Sequence, residues 1–174
     1  ATPPDTLVIA RDIGTIISTQ QFDKVKSYIK IGSELAGTTA NSCSAMPTDP
    51  KLAKGLFVQP VIFTGVDNDS RIAREEIFGP VACIIKFDDY ESVIAQANDS
   101  EYGLAATIWT RDLRTALDAS RRLEAGIVQV NQNLVVQPHI SYGGVKQSGL
   151  GKEASLEAML EHFTHKKTVI INML

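Results

Sequence analysis

The sequence predicts an α/β protein with a largely parallel sheet and flanking helices. Between Pro80 and Asn131, three short apolar segments of strand length alternate with two segments whose apolar residues recur at helical spacing. This order of elements is typical of right-handed crossovers on a parallel sheet. The chain has 174 residues, 44% of them hydrophobic and 21% charged, so it is long and apolar enough to bury a core.

The first helix is predicted over about residues 19 to 35. Ser18 followed three residues later by Gln21 resembles a capping box, in which side chains at a helix start satisfy free backbone N–H groups. Gly32 marks the expected end of the apolar pattern. The apolar residues that recur at helical spacing are Phe22, Val25 and Ile29.

Two strands are predicted next. The segment FVQPVIF, 57–63, is rich in strand-forming residues, but Pro60 cannot donate to a ladder, so we expect an edge strand or an interrupted one. The segment PVACIIKF, 80–87, is apolar throughout, which is typical of a strand covered on both faces.

The second half of the chain continues the alternation. Asp88 or Asp89 would cap one helix, Gly103 opens the strand-like LAATIWT, and Asp112 would cap a further helix that stops at Gly126. The strand IVQVN follows. The residues expected on one face of the Asp112 helix are Leu113, Ala116, Leu117, Ser120 and Leu123.

The C-terminal part begins with a long connection over 132–151 that contains SYGGVKQSGLG. A helix is predicted over about 152–164, followed by the apolar strand KTVIINML. Because no later segment could pair with that strand, we expect it to pair with distant or foreign chain.

Bulk properties exclude several classes of partner. The net charge of −3 and the scattered Lys and Arg residues argue against nucleic acid and anionic membranes as partners. No apolar run approaches the roughly 18 residues of a membrane span, and no signal-peptide pattern opens the chain. Two cysteines are too few for a disulfide framework, so we expect a reducing, cytoplasmic location.

The glycine-rich connection fits no phosphate-binding motif well. Gly144 and Gly149 lack the Lys and Ser or Thr that a P-loop requires after its second glycine. Gly149, Gly151 and Ala154 loosely fit a dinucleotide fingerprint, but no strand precedes them. We therefore favour the alternative that these glycines allow close approach of another backbone segment.

Metal ligands and an activated thiol are also not expected. The histidines, His139, His162 and His165, have no cysteine or carboxylate cluster near them, so the last two are interpreted as a solvated helix end. Cys83 lies inside an apolar strand and is expected to be a small core residue, and Cys43 has no local base.

Two adjacent acids, Glu75 and Glu76, remain. Both could simply charge the end of the short SRIAREE segment. Alternatively, one carboxylate could accept both hydroxyls of a ribose diol, while Phe78 packs against the ring that the sugar carries.

The segment REEIFGPV is similar to a segment of the aldehyde dehydrogenase superfamily, and further blocks resemble that family in the same order. The resemblance runs from about Gly14 to the C-terminus, and its blocks are QQFDKVKSYI, GLFVQPVIF, ANDSEYGLAATIWTRD, RRLEAGIVQVN, YGGVKQSGLGKE and KKTV. It implies a partial Rossmann-like catalytic domain at 1–148, followed by a C-terminal helix and oligomerisation strand at 149–174.

The resemblance also implies a cofactor site for NAD or NADP, with NAD favoured. Glu76 would bind the nicotinamide ribose and Phe78 would line the nicotinamide. Gln21 and Lys24 match positions that face the cofactor, and Leu104 matches a residue near the nicotinamide.

For the substrate, the resemblance points to two places. Ser141 and Tyr142 stand where the family has proline and phenylalanine, so Tyr142 would be the aromatic residue of the substrate tunnel, with a hydroxyl that could alter substrate preference. The loop 132–140, which includes Val136, would help to select the aldehyde.

The family's reaction implies that this chain is a fragment. A cysteine attacks the aldehyde, the thiohemiacetal passes hydride to NAD(P)+, and a glutamate-activated water hydrolyses the thioester. Those residues would lie N-terminal to this chain, so we expect the chain to be inactive alone. The resemblance also implies that the complete protein is a homodimer or homotetramer. The alternatives are a fragment of a coenzyme A-dependent acylating relative and a noncatalytic assembly module.

Overall fold

The structure of the chain, a computed structural model, describes residues 13–42, 45–133, 137 and 139–173. It separates into two compact units, of which the first ends at Phe87 and the second begins at Asp88. The first unit contains α1 (Thr19–Glu34), β1 (Thr39–Ser42), a short 3₁₀ helix (Pro50–Leu52), β2 (Val61–Thr64), α2 (Arg71–Arg74) and β3 (Val81–Ile84). The second contains α3 (Tyr90–Asn98), β4 (Tyr102–Gly103), β5 (Ala105–Ile108), α4 (Leu113–Arg122), β6 (Ile127–Val130), β7 (Val145–Lys146) and α5 (Leu156–Phe163).

The predicted α/β class is confirmed, although the strands form small sheets. The two pairs joined through a helix, β2 with β3 and β5 with β6, are parallel. Antiparallel pairing occurs between β1 and β2 and between β4 and β7. None of the helices in the described part of the chain has both the length and the apolar character that a membrane crossing needs.

The helix α1 begins at the predicted residue but only half of the capping box forms. The Ser18 hydroxyl oxygen accepts the Gln21 backbone N–H at 3.2 Å, whereas the Gln21 side chain donates elsewhere. Gly32 does not end the helix, which continues to Glu34. A Cβ on Gly32 would lie 2.6 Å from Cζ of the buried Phe63, so this glycine makes room for a core ring.

In the first sheet, β2 is the central strand, so the prediction of an edge strand at 57–63 is wrong. The prediction of an interrupted strand is correct, because Pro60 lies just before the first paired residue and costs no ladder hydrogen bond. In β3, Cys83 packs against the core while Ile84 is 55% exposed. The expectation that β3 is covered on both faces is therefore wrong for this chain.

In the second unit, the capping residues were predicted correctly, and the buried face of α4 was predicted correctly only at Ala116. Asp89 caps α3 and Asp112 caps α4. On α4, Ala116 is buried, but Leu117 is about half exposed. Leu113 is more exposed still, and Ala119 is the other buried residue of this helix, so only small side chains are buried there.

The glycines of the second unit match the predicted purposes only in part. Gly126 lies three residues beyond the Leu123 C-cap, and a Cβ on it would overlap the Gly143 carbonyl oxygen. Gly149 and Gly151 have open space around them but φ values of +108° and +86°, which glycine adopts most readily. Close approach therefore explains Gly126, and within the glycine-rich connection it explains Gly143 and Gly144 but not Gly149 and Gly151.

The C-terminal part differs from prediction in three ways. The helix α5 begins at Leu156 rather than near 152, and the predicted connection contains the short strand β7. Residues 167–173 form no strand within this chain. The predicted strand is therefore not formed within the described residues, and the apolar side chains there are exposed.

Candidate functional site

The segment 75–79, which joins α2 to β3, lies against α1. Gln21 of α1 donates its side-chain amide to the Ile77 carbonyl at 2.8 Å and to the Phe78 carbonyl at 3.0 Å. Lys24, one turn further along, donates to the Glu76 carbonyl at 2.8 Å. Three successive carbonyls of the segment are therefore held by two side chains of one helix.

Packing of Ile77 and Gly79 against the core of the first unit also fixes the segment 75–79. Ile77 is buried in the core cluster of the first unit, and Gly79 lies so close to α1 that a Cβ would come within 2.5 Å of Val25 Cγ2. Val25 itself is fully buried. A bulkier residue at 79 would therefore push the segment away from the helix that positions it.

The two adjacent acids have different environments. The Glu75 carboxylate accepts the Tyr28 hydroxyl and two N–H groups of Arg71, at 2.8 and 3.0 Å. The hydrogen bonds from Arg71, followed by that from Tyr28, lower the pKa of Glu75 from its ordinary 4.5 to about 2. The hydrogen bond to Glu75 in turn raises the pKa of Tyr28. Both side chains are exposed, but Glu75 is held by Tyr28 and Arg71, which make no such contact with Glu76.

Phe78 combines an exposed side chain with an uncommon backbone conformation. Its side chain is 73% exposed, and its φ of +53° is uncommon for a residue with a Cβ. Two hydrogen bonds from Gln21, one to Phe78 itself, hold the backbone in this conformation. An exposed aromatic ring on a strained, fixed backbone is a common feature of binding sites.

The structure brings four of the five predicted cofactor residues together in the first unit: Gln21, Lys24, Glu76 and Phe78. Leu104, the fifth, lies in the second unit between β4 and β5, where its carbonyl accepts the Ile127 N–H at 3.1 Å. Sequence reasoning missed Tyr28 and Arg71, the partners of Glu75. Arg71 did have a signal, since it stands four residues before Glu75, a spacing at which opposite charges meet on a helix. Tyr28 is 47 residues away and had no local signal.

Of the predicted substrate residues, Tyr142 lies in the second unit. Its N–H donates to the Glu153 carbonyl at 2.8 Å, and its carbonyl accepts the Glu153 N–H at 2.7 Å. Val136 falls outside the described residues. Lys152 donates to the carbonyls of Gly143 and Gly144, just after Tyr142. Sequence reasoning also missed this residue.

Cys83 is partly buried and packs against the core cluster of the first unit, so the prediction of a small core residue is correct in part. Its thiol donates to the Ile72 carbonyl at 3.4 Å, and burial raises the pKa of the thiol, which disfavours the reactive thiolate. Cys43 lies outside the described residues. Within the described ranges, no three metal-ligating side chains are grouped so that they could hold an ion.

The first unit thus presents the exposed Glu76 side chain and the exposed Phe78 ring on one short segment. Comparison with known proteins gives the class of protein. The model of the Aldehyde dehydrogenase family matches residues 4–169. The chain belongs to the aldehyde dehydrogenase family.

Over the aligned segment, named relatives are 41% and 43% identical to this chain. It is 41% identical over 94% of its length to a hydroxyisobutyraldehyde dehydrogenase of Mycolicibacterium austroafricanum, and 43% identical over 97% to a betaine aldehyde dehydrogenase of Rhizobium johnstonii. It covers 32% and 34% of those proteins. The chain therefore spans about a third of the length of the curated relatives that it matches.

The fold agrees with this assignment. A structure described as the NAD+ complex of an aldehyde dehydrogenase from Bacillus cereus superimposes with a TM-score of 0.82 at 37% identity, over 94% of this chain and 32% of that one. The recognition of the family from REEIFGPV and the accompanying blocks is confirmed.

Proposed function

We propose that the complete protein carrying this chain oxidises an aldehyde to a carboxylic acid with NAD(P)+, through a cysteine thiohemiacetal and thioester. The observation that carries the proposal for this chain is that the adjacent carboxylates of Glu75 and Glu76 differ in their hydrogen-bond partners. Glu75 is engaged by Tyr28 and Arg71, which leaves the exposed Glu76 carboxylate for a ligand.

In this proposal, Glu76 accepts the two hydroxyls of the nicotinamide ribose, and Phe78 packs beside the nicotinamide ring. The exposure of both side chains and the fixed backbone beneath them support these roles. Gln21 and Lys24 act by holding that backbone as well as by facing the cofactor, and Leu104 lies near the nicotinamide. NAD is favoured over NADP because the Bacillus cereus relative is described with NAD+.

The second unit serves the substrate in this proposal. Tyr142 lines the aldehyde tunnel, and Val136 belongs to the loop that selects the aldehyde. The apolar side chains exposed at 167–173 support a homodimer or homotetramer of the complete protein, with the tail as part of the interface. We further propose a cytoplasmic location and that the isolated chain, in which Cys83 has the properties of a core thiol, is inactive.

The substitution Glu76→Gln tests the cofactor role in the complete protein. The amide keeps the size of the side chain but loses the charge and one acceptor, so we expect KM for NAD+ to rise about tenfold or more. KM for the aldehyde should stay within about twofold, because the substitution does not alter the residues of the proposed aldehyde site. Initial rates of NADH formation, with each substrate varied in turn, measure both constants.

Glu101→Gln, a second exposed carboxylate replaced by its amide, is the matched control and should match the wild type. A KM for NAD+ that is unchanged in Glu76→Gln would contradict the ribose role. NADH formation that requires coenzyme A would instead identify an acylating dehydrogenase. Failure of the complete protein to oxidise any aldehyde would support the noncatalytic assembly module.

A further inference from the structure

The turn formed by residues 142–153, here called the glycine loop, is closed at its base by backbone hydrogen bonds. Tyr142 and Glu153 exchange N–H and carbonyl groups at 2.8 and 2.7 Å. These two bonds fix the peptide planes on both sides of Tyr142. The next two residues are Gly143 and Gly144, the residue type with the greatest backbone freedom, so the loop would be loose there without further contacts.

Lys152 supplies those contacts from the opposite arm of the glycine loop. Its ammonium donates to the Gly143 carbonyl at 2.7 Å and to the Gly144 carbonyl at 3.1 Å. The side chain is half-buried between the two arms. Together with the bonds at Tyr142, it fixes four successive peptide planes around the aromatic residue.

The surrounding glycines show that the arrangement is closely fitted. A Cβ on Gly143 would lie 2.5 Å from the Gly151 carbonyl oxygen and 3.0 Å from Lys152 Cδ. A Cβ on Gly126 would approach Lys152 Nζ to 2.7 Å. The lysine therefore occupies a space that the sequence keeps free of other side chains.

A second lysine holds the far side of the glycine loop. Lys146 donates to the carbonyls of Asn98 and Ser100 at 2.6 and 3.1 Å and pairs with Glu124 at 2.6 Å. These contacts attach β7 to the rest of the second unit but do not reach Gly143. Only Lys152, among the described residues that contact the loop, donates side-chain hydrogen bonds to the carbonyls that follow Tyr142.

We propose that Lys152 is a positioning residue for substrate selection, which fixes the aromatic side chain of Tyr142 through the carbonyls of Gly143 and Gly144. The inference rests on the proposed role of Tyr142 at the aldehyde tunnel. Lys152 does not touch the substrate itself. Its loss would let the glycine pair rotate and would weaken the adjoining Tyr142–Glu153 hydrogen bonds, so that the ring of Tyr142 samples several positions and binds the aldehyde less well.

Lys152→Met tests the proposal, because it keeps an unbranched side chain but removes all N–H donors. In the 174-residue chain, hydrogen exchange at the amides of Tyr142 and Glu153 should become about tenfold faster or more, while the amide of Ala116 in α4 keeps its protection. Lys152→Arg, whose fork can donate to two adjacent carbonyls, should restore most of the protection at both amides. Lys54→Met, which replaces an exposed lysine in the first unit, should change neither.

In the complete protein, Lys152→Met should raise KM for the aldehyde about tenfold, leave KM for NAD+ within about twofold, and be rescued by Lys152→Arg. Unchanged exchange at Tyr142, or faster exchange with an unchanged aldehyde KM, would overturn the proposal. If no aldehyde is oxidised by the wild-type complete protein, the proposed function fails, and the exchange data alone then decide whether Lys152 fixes Tyr142.

Discussion

The segment 75–79 and the glycine loop, 142–153, both hold the backbone beside an aromatic residue, but different interactions hold each one. Each presents one aromatic side chain, Phe78 or Tyr142, and in each a side-chain N–H group donates to backbone carbonyls next to that residue. The segment 75–79 also has a hydrophobic cluster beneath it, to which it contributes Ile77. The glycine loop instead depends on glycine contacts and on two lysines.

This difference predicts how the two regions respond to substitution. Non-directional apolar packing tolerates the loss of one hydrogen bond, because the remaining buried surface still favours the same arrangement. A loop held by directional bonds and close backbone contacts has no such reserve. The segment 75–79 should therefore be most sensitive to cavities in its cluster, and the glycine loop to added atoms or lost donors.

The largest effect is expected from Phe63→Ala in the core of the first unit. Phe63 is fully buried, and replacing a buried phenylalanine by alanine costs about 3–5 kcal/mol. This is a large part of the 5–15 kcal/mol that stabilises an ordinary domain. Urea unfolding followed by far-UV circular dichroism measures the loss, and hydrogen exchange shows whether α1 and the segment 75–79 open together.

The matched control is Phe163→Ala on α5, where the same ring is 83% exposed. Its effect on the unfolding free energy of the isolated chain should stay within about 0.5 kcal/mol. Equal losses from the two variants would contradict the assignment of the first unit's stability to its buried cluster.

The next largest effect is expected from Gly126→Ala in the second unit. The added methyl group would overlap the Gly143 carbonyl oxygen, a backbone atom that cannot move without shifting the glycine loop. Overpacking of this kind costs about 1–3 kcal/mol. Because the chain's single tryptophan, Trp109, follows β5, its fluorescence during urea unfolding should report the loss.

Gly14→Ala provides the comparison, since nothing lies within 4 Å of a Cβ built on Gly14. We expect its effect to stay below about 0.5 kcal/mol. If Gly126→Ala is equally mild, the close approach of Gly126 to Gly143 is not what holds the glycine loop in place.

The sequence predicted best what depends on neighbouring residues. The start of α1 at Ser18 and the caps at Asp89 and Asp112 follow from side chains that bond backbone N–H groups within one turn. The family resemblance selected Glu76 rather than Glu75 as the predicted ribose ligand, a choice that the residue pattern left open.

What failed depends on contacts between distant parts of the chain. Periodicity placed Leu113 and Leu117 on the apolar face of α4, but it cannot say whether any segment covers that face, and both are exposed. Likewise, the neighbours of β2 are set by pairing across the chain, so Pro60 alone could not distinguish an edge strand from a shortened central one. The target of the Gln21 side chain, 56 residues away, was equally beyond local patterns.

The smallest expected effect concerns the acid dependence contributed by Glu75. Its pKa in the folded chain is about 2, below its ordinary value of 4.5, so the stabilisation that it provides is complete above about pH 4.5 and is lost as pH falls through 2. The substitution Glu75→Gln removes the titrating group but keeps an acceptor for the Tyr28 hydroxyl. The difference in urea midpoint between wild type and Glu75→Gln should therefore shrink steadily from pH 5 towards pH 2.

Glu76→Gln is the matched control, because it changes the adjacent carboxylate whose side chain is exposed and leaves Tyr28 and Arg71 paired with Glu75. Its urea midpoint should stay parallel to that of the wild type over the same pH range. The effect of Glu75 is expected to be small because the carboxylate is 41% exposed and solvent screens its pairing with Arg71. A pH-independent difference for Glu75→Gln would mean that Glu75 holds α2 to α1 by shape and hydrogen bonding rather than by its charge. A difference of the same pH dependence for both variants would contradict the separate roles assigned to the two acids.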